Sequence, residues 1–271
     1  MRIESATKSN SIYDSSRLAA GYAYHRPPVH AAVLRKIRQR LGLQGKLPRA
    51  LDVGCGAGLS TAALESLAEA VIGIEPVEAM LAFRHDVSAT AKFVVGQAEH
   101  LPFAAQSFEL MTTAGAINYA DRDLFFPEAA RVLTTTGVLV VYDFSAGCRS
   151  VGDDRLELWF AEFQQRYPAP PGYAMDVRAQ VFDRYGLRLV EYEEFEVALP
   201  MTLDAYLAYA MSETSVEQAI QDRTPEAEIR DWCQATLSEV FGESESLEIL
   251  FDAYIACVSL AEPEQGTSSR Q

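Results

Sequence analysis

Leu51-Asp52-Val53-Gly54-Cys55-Gly56-Ala57-Gly58-Leu59-Ser60 is the stretch that decides the fold. An apolar run passes straight into three glycines and then into a segment with helical periodicity, residues 60–67. Glycines let the backbone turn sharply and let a ligand come close where a Cβ would intrude. The N-terminus of the following helix adds free N–H donors. A dinucleotide loop is written G-x-G-x-x-G. Here the third glycine comes one position early and Leu59 stands in the dinucleotide glycine's place, which disfavours an NAD-binding oxidoreductase. The phosphate loop G-x-x-x-x-G-K-[ST] is absent.

Working outward, strand-like runs fall at residues 50–53, 70–75, 92–95, 108–113 and 138–144, with helical patterns at 60–67, 77–85 and 121–133. Alternating strands and helices predict an α/β, doubly wound, mostly parallel sheet with helices on both faces. Upstream, residues 28–41 read as a helix with Val29, Val33, Ile37 and Leu41 on one face and Gly42 past its end. Downstream come an amphipathic helix at 153–167 and a turn rich in proline (Pro168, Pro170, Pro171, Gly172). Two further β-like runs follow, 187–199 and 247–260, completing a seven-stranded sheet. The stretch between them is far longer than a hairpin loop of about 2–5 residues. It is helical at 202–211 and 224–241, with Thr224 as N-cap, Pro225 at the first helical position and Gly242 past the end. It reads as a helical lid over the carboxyl edge of the sheet. The expected organisation is an N-terminal lid segment and first helix (1–45), a core (46–200), a lid insert (201–246), the last core strand (247–261) and a disordered tail (262–271). Residues 1–10 are also expected to be disordered.

Composition narrows the partners. Apolar residues make up 49% of the 271, enough for a sizeable core, and no apolar run approaches the roughly 18–20 residues that span a bilayer. The N-terminus lacks the apolar stretch of a signal peptide. The four cysteines form no CxxC pair and no zinc spacing, so a metal is not expected and a reduced, cytoplasmic protein is. A net charge of −15 argues against nucleic acid, which requires a basic footprint. The one basic run, Arg35, Lys36, Arg38 and Arg40, reads as the solvated face of a helix.

Two further segments flank the glycine loop. The next strand ends in Glu75, 21 positions after Gly54, where a carboxylate can accept from both hydroxyls of a ribose. Past the third strand lies Gly96-Gln97-Ala98-Glu99-His100-Leu101-Pro102-Phe103, where a polar side chain can reach an adenine edge. The set LDVGCGAG, GIEPVEAM and GQAEHLPF, with the Ser107-Phe108-Glu109, Glu128-to-Leu133 and Tyr22-to-Pro27 blocks, resembles the class I S-adenosylmethionine-dependent methyltransferases. Within that family the match is to the ubiquinone/menaquinone-biosynthesis-like and trans-aconitate-methyltransferase-like branches, over roughly residues 20–145.

The resemblance implies a Rossmann-like methyltransferase fold, with S-adenosylmethionine as cofactor and S-adenosylhomocysteine as product. Gly54, Gly56 and Gly58 would frame the methionine part and ribose, and Glu75 would take the ribose hydroxyls. Pro76 and Met80 would pack near the adenine, Ala98 would donate its N–H to the ring, and Gln97 would meet the amino group where the family has aspartate. Asp52, Glu99 and Ala114 join this set. Arg26 would pair with the cofactor carboxylate or with a substrate acid. For catalysis the candidates are His25, Asn118, Tyr119 and Asp143, with Tyr142 and His100 nearby and Tyr206, Tyr209 and Met211 on the lid. Asn118-Tyr119 stands where the trans-aconitate-like branch often has His-Trp. Missing amino-methylation and cytosine motifs favour a small-molecule acceptor, methylated on oxygen or carbon. The residues leave open a protein that binds the cofactor without turning it over, or that partners an active enzyme. They do not indicate an oligomeric state.

Overall fold

The computed structural model describes residues 11–170 and 175–261. The two tails read as disordered, together with Pro171 and Gly172, lie outside the described residues. From the N-terminus run α1 (Ser16–His25), α2 (Val29–Arg40), β1 (Leu47–Val53), α3 (Leu59–Leu64), β2 (Ala68–Glu75), a 3-10 turn (Glu78–Phe83), α4 (Arg84–Val87) and β3 (Lys92–Val95). Then follow β4 (Phe108–Ala114), α5 (Arg122–Val132), β5 (Leu133–Phe144), β6 (Arg149–Ser150), α6 (Arg155–Arg166) and β7 (Leu187–Met201). The last elements are α7 (Leu203–Met211), α8 (Thr214–Gln221), α9 (Glu226–Phe241) and β8 (Leu247–Leu260).

The strands form one mixed sheet. β3, β2, β1, β4 and β5 pair in parallel in that order, and β8 pairs antiparallel with β5. Along its length β8 also pairs antiparallel with β7. The two-residue β6 meets Ile249 and Leu250 of β8. A strand has two edges and β7 occupies one of β8 throughout, so β6 lies in line with β5. The sheet therefore has the seven lateral positions expected from the sequence, and β6 raises the strand count to eight.

Side chains alternate across the strands and feed two cores. Ala50, Leu110, Val140, Tyr142, Ile255 and Cys257 face α2, α3 and the helices α6 to α9. Leu51, Met111, Leu139, Val141, Ala256 and Val258 face α5 and the 3-10 turns Val177–Ala179 and Asp183–Tyr185. Phe108 and Leu110 are two residues apart yet serve opposite cores. The ladder explains this: Phe108 pairs with Leu133 and Leu110 with Val138, so residues 134–137 bulge out of β5. A Cβ on Gly137 would lie 2.9 Å from the Phe108 carbonyl oxygen, so the tight bulge demands glycine there.

Several elements differ from the sequence reading. α1 and α8 have no counterpart in it. α9 starts at Glu226 with Pro225 in the cap position and no side-chain cap bond, so Thr224 is not the N-cap. Residues 77–85 form a 3-10 turn followed by the four-residue α4 rather than one helix. The basic face of α2 is not simply solvated. Lys36 pairs with Glu193 of β7 at 2.7 Å, and Arg40 pairs with Glu191 at 3.2 Å and with Glu193.

Among the described residues no helix is long and apolar enough to cross a membrane.

Candidate functional site

β1 delivers the glycine loop at the carboxyl edge of the sheet, and the loop takes the left-handed backbone three times: φ is +70° at Gly54, +54° at Gly56 and +97° at Gly58. At Gly54 a Cβ would lie 2.2 Å from that of Ala116, so the loop is pressed against the turn that follows β4. A Cβ at Gly56 would meet only the Met80 methyl, at 3.8 Å, so there glycine answers the backbone conformation and the side facing a ligand stays open.

Two carboxylates hold this loop in different ways. Asp52 is fully buried and accepts from the hydroxyls of Ser60 (2.6 Å), Thr61 (2.7 Å) and Thr112 (2.9 Å). It pins the first turn of α3 and β4 to β1, and its oxygens are directed into the protein. The structure thus places Asp52 behind the loop as a clamp and not among groups that touch a ligand. Burial raises its pKa, and the three hydroxyl bonds offset this in part. Glu75, 7% exposed, accepts from Gly56 N–H at 2.9 Å on one oxygen and from Val77 N–H at 3.0 Å on the other. Burial raises its pKa as well, against the two amide bonds. An ionised carboxylate offers about four acceptor positions. With two filled, Glu75 retains capacity for two hydroxyls.

Beyond Glu75, Pro76 is exposed, while Met80 is buried with Ala57 and Ala19 in a small apolar cluster that Tyr13, Tyr22 and Phe83 border. This cluster brings α1 directly onto the loop. Gln97 is exposed and Ala98 half-buried past β3. Glu99 accepts from Asp121 N–H at 2.7 Å and so ties this segment to the start of α5. Ala114 ends β4 opposite Tyr142.

Above the loop, α1 meets the α7–α8 turn through charged groups. Arg17 pairs with Glu217 at 2.7 Å and donates to the Met211 carbonyl at 3.0 Å. Arg26 pairs with Glu213 at 2.9 Å and donates to the Ser212 carbonyl at 3.0 Å. Its guanidinium lies 4.1 Å from the centre of the Tyr22 ring and 5.2 Å from that of Tyr209. Its Nε is buried without a partner among the described residues. Gly21 permits the approach of the helices, since a Cβ there would lie 2.9 Å from that of Ser212. Tyr206 and Tyr209 donate to the carbonyls of Gly147 (3.0 Å) and Ala146 (2.7 Å), fastening α7 to the turn after β5.

The catalytic candidates separate. His25 is exposed at the end of α1 and is hydrogen-bonded to none of the other candidates. Asn118 accepts from Met175 N–H at 3.0 Å and so anchors a loop. Tyr119 is 63% exposed, and its hydroxyl meets that of Tyr13 at 3.2 Å. Asp143 accepts from Phe144 N–H at 2.9 Å and crowds Gly115, and burial raises its pKa. Sequence reasoning missed His30, Tyr13 and Glu213. His30 shares a 2.9 Å bond with the hydroxyl of Tyr142. Its only sequence signal was a polar residue on an otherwise apolar helix face, four positions after Arg26.

Comparison with known proteins agrees with this geometry. The sequence matches the Methyltransferase domain family over residues 51–141. It is 29% identical over 102 residues to the ubiquinone/menaquinone biosynthesis C-methyltransferase UbiE of Campylobacter jejuni, covering 35% of this chain and 43% of that protein. Each alignment spans less than half the length of the curated relatives matched. A proposed type II methyltransferase from Anaeromyxobacter dehalogenans shares the fold with a TM-score of 0.62 at 22% identity, over 84% of this chain and 97% of the other. The Haemonchus contortus phosphoethanolamine N-methyltransferase 2, solved with phosphomonomethylethanolamine and S-adenosylhomocysteine, superposes with a TM-score of 0.52 at 17% identity, over 91% of this chain and 57% of its own. The stretch that carries the glycine loop and Glu75, residues 51–141, is thus similar to methyltransferase domains.

Proposed function

We propose that the protein transfers a methyl group from S-adenosylmethionine to an oxygen or carbon of a small organic acceptor, releasing S-adenosylhomocysteine. One observation carries this reading. Glu75 is held by the amides of Gly56 and Val77 with two acceptor positions left, beside a loop whose open side is kept free of side chains. That set of free acceptor positions fits the hydroxyls of a nucleoside ribose without a pyrophosphate. When bound, the cofactor supplies a methyl group made electrophilic by a sulfonium.

The chain's own residues bind, orient and shield. Glu75 takes the ribose hydroxyls. Gln97 and the Ala98 N–H meet the adenine, with Pro76 and Met80 at its faces. α1 and the insert act as one lid over the carboxyl edge, keeping water from the reacting atoms. Much of the acceleration then comes from holding nucleophile and methyl in line. The −15 charge speaks against a nucleic-acid acceptor, and the C-methylating relative named above is compatible with carbon as the target.

Calorimetry tests the cofactor half. S-adenosylhomocysteine should bind on the order of micromolar and NAD far more weakly; tighter NAD binding overturns the reading. Labelled S-adenosylmethionine offered with a panel of quinols, phenols and organic acids tests the transfer. Cofactor binding without transfer to any of them would favour a binding protein over an enzyme.

A further inference from the structure

His30 occupies the first turn of α2, and its Nδ1 lies 2.9 Å from the hydroxyl oxygen of Tyr142 near the carboxyl end of β5. The ring meets Tyr142 and Phe144 edge-on, with centroids 5.9 and 5.1 Å apart. These contacts fix more than orientation. Tyr142 is fully buried, and His30 is the hydrogen-bond partner its hydroxyl has among the described residues. A buried O–H that finds no acceptor is strongly unfavourable. The hydroxyl therefore donates and Nδ1 accepts, which leaves the ring hydrogen on Nε2.

Two polar groups on neighbouring elements face the ring: Arg26 just past α1, and Tyr142. Burial, and after it the Arg26 guanidinium, push the His30 pKa down to about 4. The imidazole is thus neutral at physiological pH and a poor base. Its Nε2 has no hydrogen-bond partner among the described residues, and the residue is only half-buried. A donor with a locked tautomer stands unused between Arg26 and the end of β5, on the side of the sheet that α2 and α7 cover.

We propose that the Nε2–H of His30 is a fixed, neutral hydrogen-bond donor that recognises an sp2 oxygen of the acceptor, as carbonyl, carboxylate or enolate. This rests on the methyltransferase reading above. A site that can only donate accepts such an oxygen and rejects a group that must itself donate, such as an ammonium. Rejection of that kind is strong because the site's own polar group would be left unpaired. His30 is then a residue of acceptor specificity, positioned by Tyr142, and not the base of the reaction.

The test uses the full chain with 15N-labelled histidine, whose four imidazoles give a readable spectrum and whose His30 signals the variants assign. Without ligand, His30 should show hydrogen on Nε2 and stay neutral down to about pH 5, above its value of about 4. The opposite tautomer overturns the proposal. Benzoate is the probe and benzylamine the control, each added with and without saturating S-adenosylhomocysteine. Benzoate should shift the Nε2–H signal and benzylamine should not. His30→Asn keeps a partner for Tyr142 but loses the outer donor, whereas His30→Gln can place an amide donor near the Nε2 position. Benzoate binding should weaken about fivefold or more in His30→Asn and stay within about twofold in His30→Gln. No response of His30 to benzoate, or the same effect in both variants, refutes the role. If S-adenosylhomocysteine does not bind while benzoate still moves the His30 signal, the methyltransferase reading falls, and what stands is the His30 Nε2–H as a donor to an sp2 oxygen of a ligand other than a methyl acceptor.

Discussion

Replacing Glu75 by glutamine separates two duties of one side chain. In the protein each carboxylate oxygen already serves a backbone amide, Gly56 N–H at 2.9 Å and Val77 N–H at 3.0 Å. Glutamine has one oxygen and one NH2, so whichever way its amide turns, one of those N–H groups faces a donor. At a site only 7% exposed, an unsatisfied amide costs about 1–3 kcal/mol. For a domain of this size that corresponds to a fall in melting temperature of roughly 2–10 °C. The cofactor loses a charge-assisted bond from one ribose hydroxyl, about 1.5–3 kcal/mol, or roughly 10- to 150-fold in dissociation constant. Calorimetry with S-adenosylhomocysteine measures the second effect, and melting of the cofactor-free protein measures the first. If Glu75→Gln melts lower but binds S-adenosylhomocysteine within about twofold of the parent, the carboxylate only braces the loop and the ribose assignment is wrong. Unchanged melting would instead refute the bracing geometry.

Other outcomes follow from the same geometry. Gly54→Ala places a Cβ 2.2 Å from that of Ala116 at φ +70°, where the left-handed backbone alone costs about 1–2 kcal/mol; S-adenosylhomocysteine binding should be lost and melting lowered, and normal binding would show that the loop does not pack on that turn. Asp52 has a folded pKa raised by burial above its ordinary 3.8, so it holds its proton more tightly when folded. Its contribution is fully present below the unfolded value and is lost as pH rises through the folded one. Stability of Asp52→Asn should therefore fall less than that of the parent as pH is raised from about 4, and parallel denaturation curves across that range would refute this. Arg26→Ala should speed amide exchange in residues 16–25 and 203–211 while leaving β1 and β4 unchanged, because its bonds to Glu213 and Ser212 join α1 to the α7–α8 turn; unaltered exchange in both helices would mean that the pair does not hold them together.

The glycine-loop half of the candidate site was legible because backbone geometry writes itself into sequence. Left-handed positions at 54, 56 and 58 require glycine, and a strand followed by an acid at 75 states where the carboxylate sits. Asp52 shows the limit of that legibility. It lies within the same motif, yet whether a carboxylate faces a ligand or three internal hydroxyls depends on strand parity and on α3, which adjacency in sequence does not reveal. α1 escaped notice for a packing reason: it buries Leu18, Ala19 and Gly21, too small a stripe to show helical periodicity. α8, short and polar, escaped for the same reason. His25 and His30 face different surroundings because α1 ends at His25 with the residue exposed, while α2 begins at Val29 and turns His30 toward Tyr142. A helix boundary that shifts by a few residues redirects every polar side chain beside it.

The two halves of the site also differ in what holds them. The loop is fixed by buried bonds that water cannot replace, those of Asp52 and Glu75. α7 and α8 are packed into the main core, but α1 is held to them by two ion pairs, with side chains 28% and 6% exposed in one and 17% and 18% in the other, and to the loop by the patch of Ala19, Ala57 and Met80. Charges at such positions regain hydration when they separate, so each pair adds little net stability while still selecting one arrangement. Small apolar contacts likewise release little on parting, at about 25 cal/mol per Å². On the proposed function a cofactor bound at the loop needs a way in, and α1 can open while the loop keeps its shape. On the proposed function this assigns the moving part to acceptor choice and the rigid part to the cofactor. Arg26 and His30, on either side of the Pro27-Pro28 turn between α1 and α2, stand where the two meet.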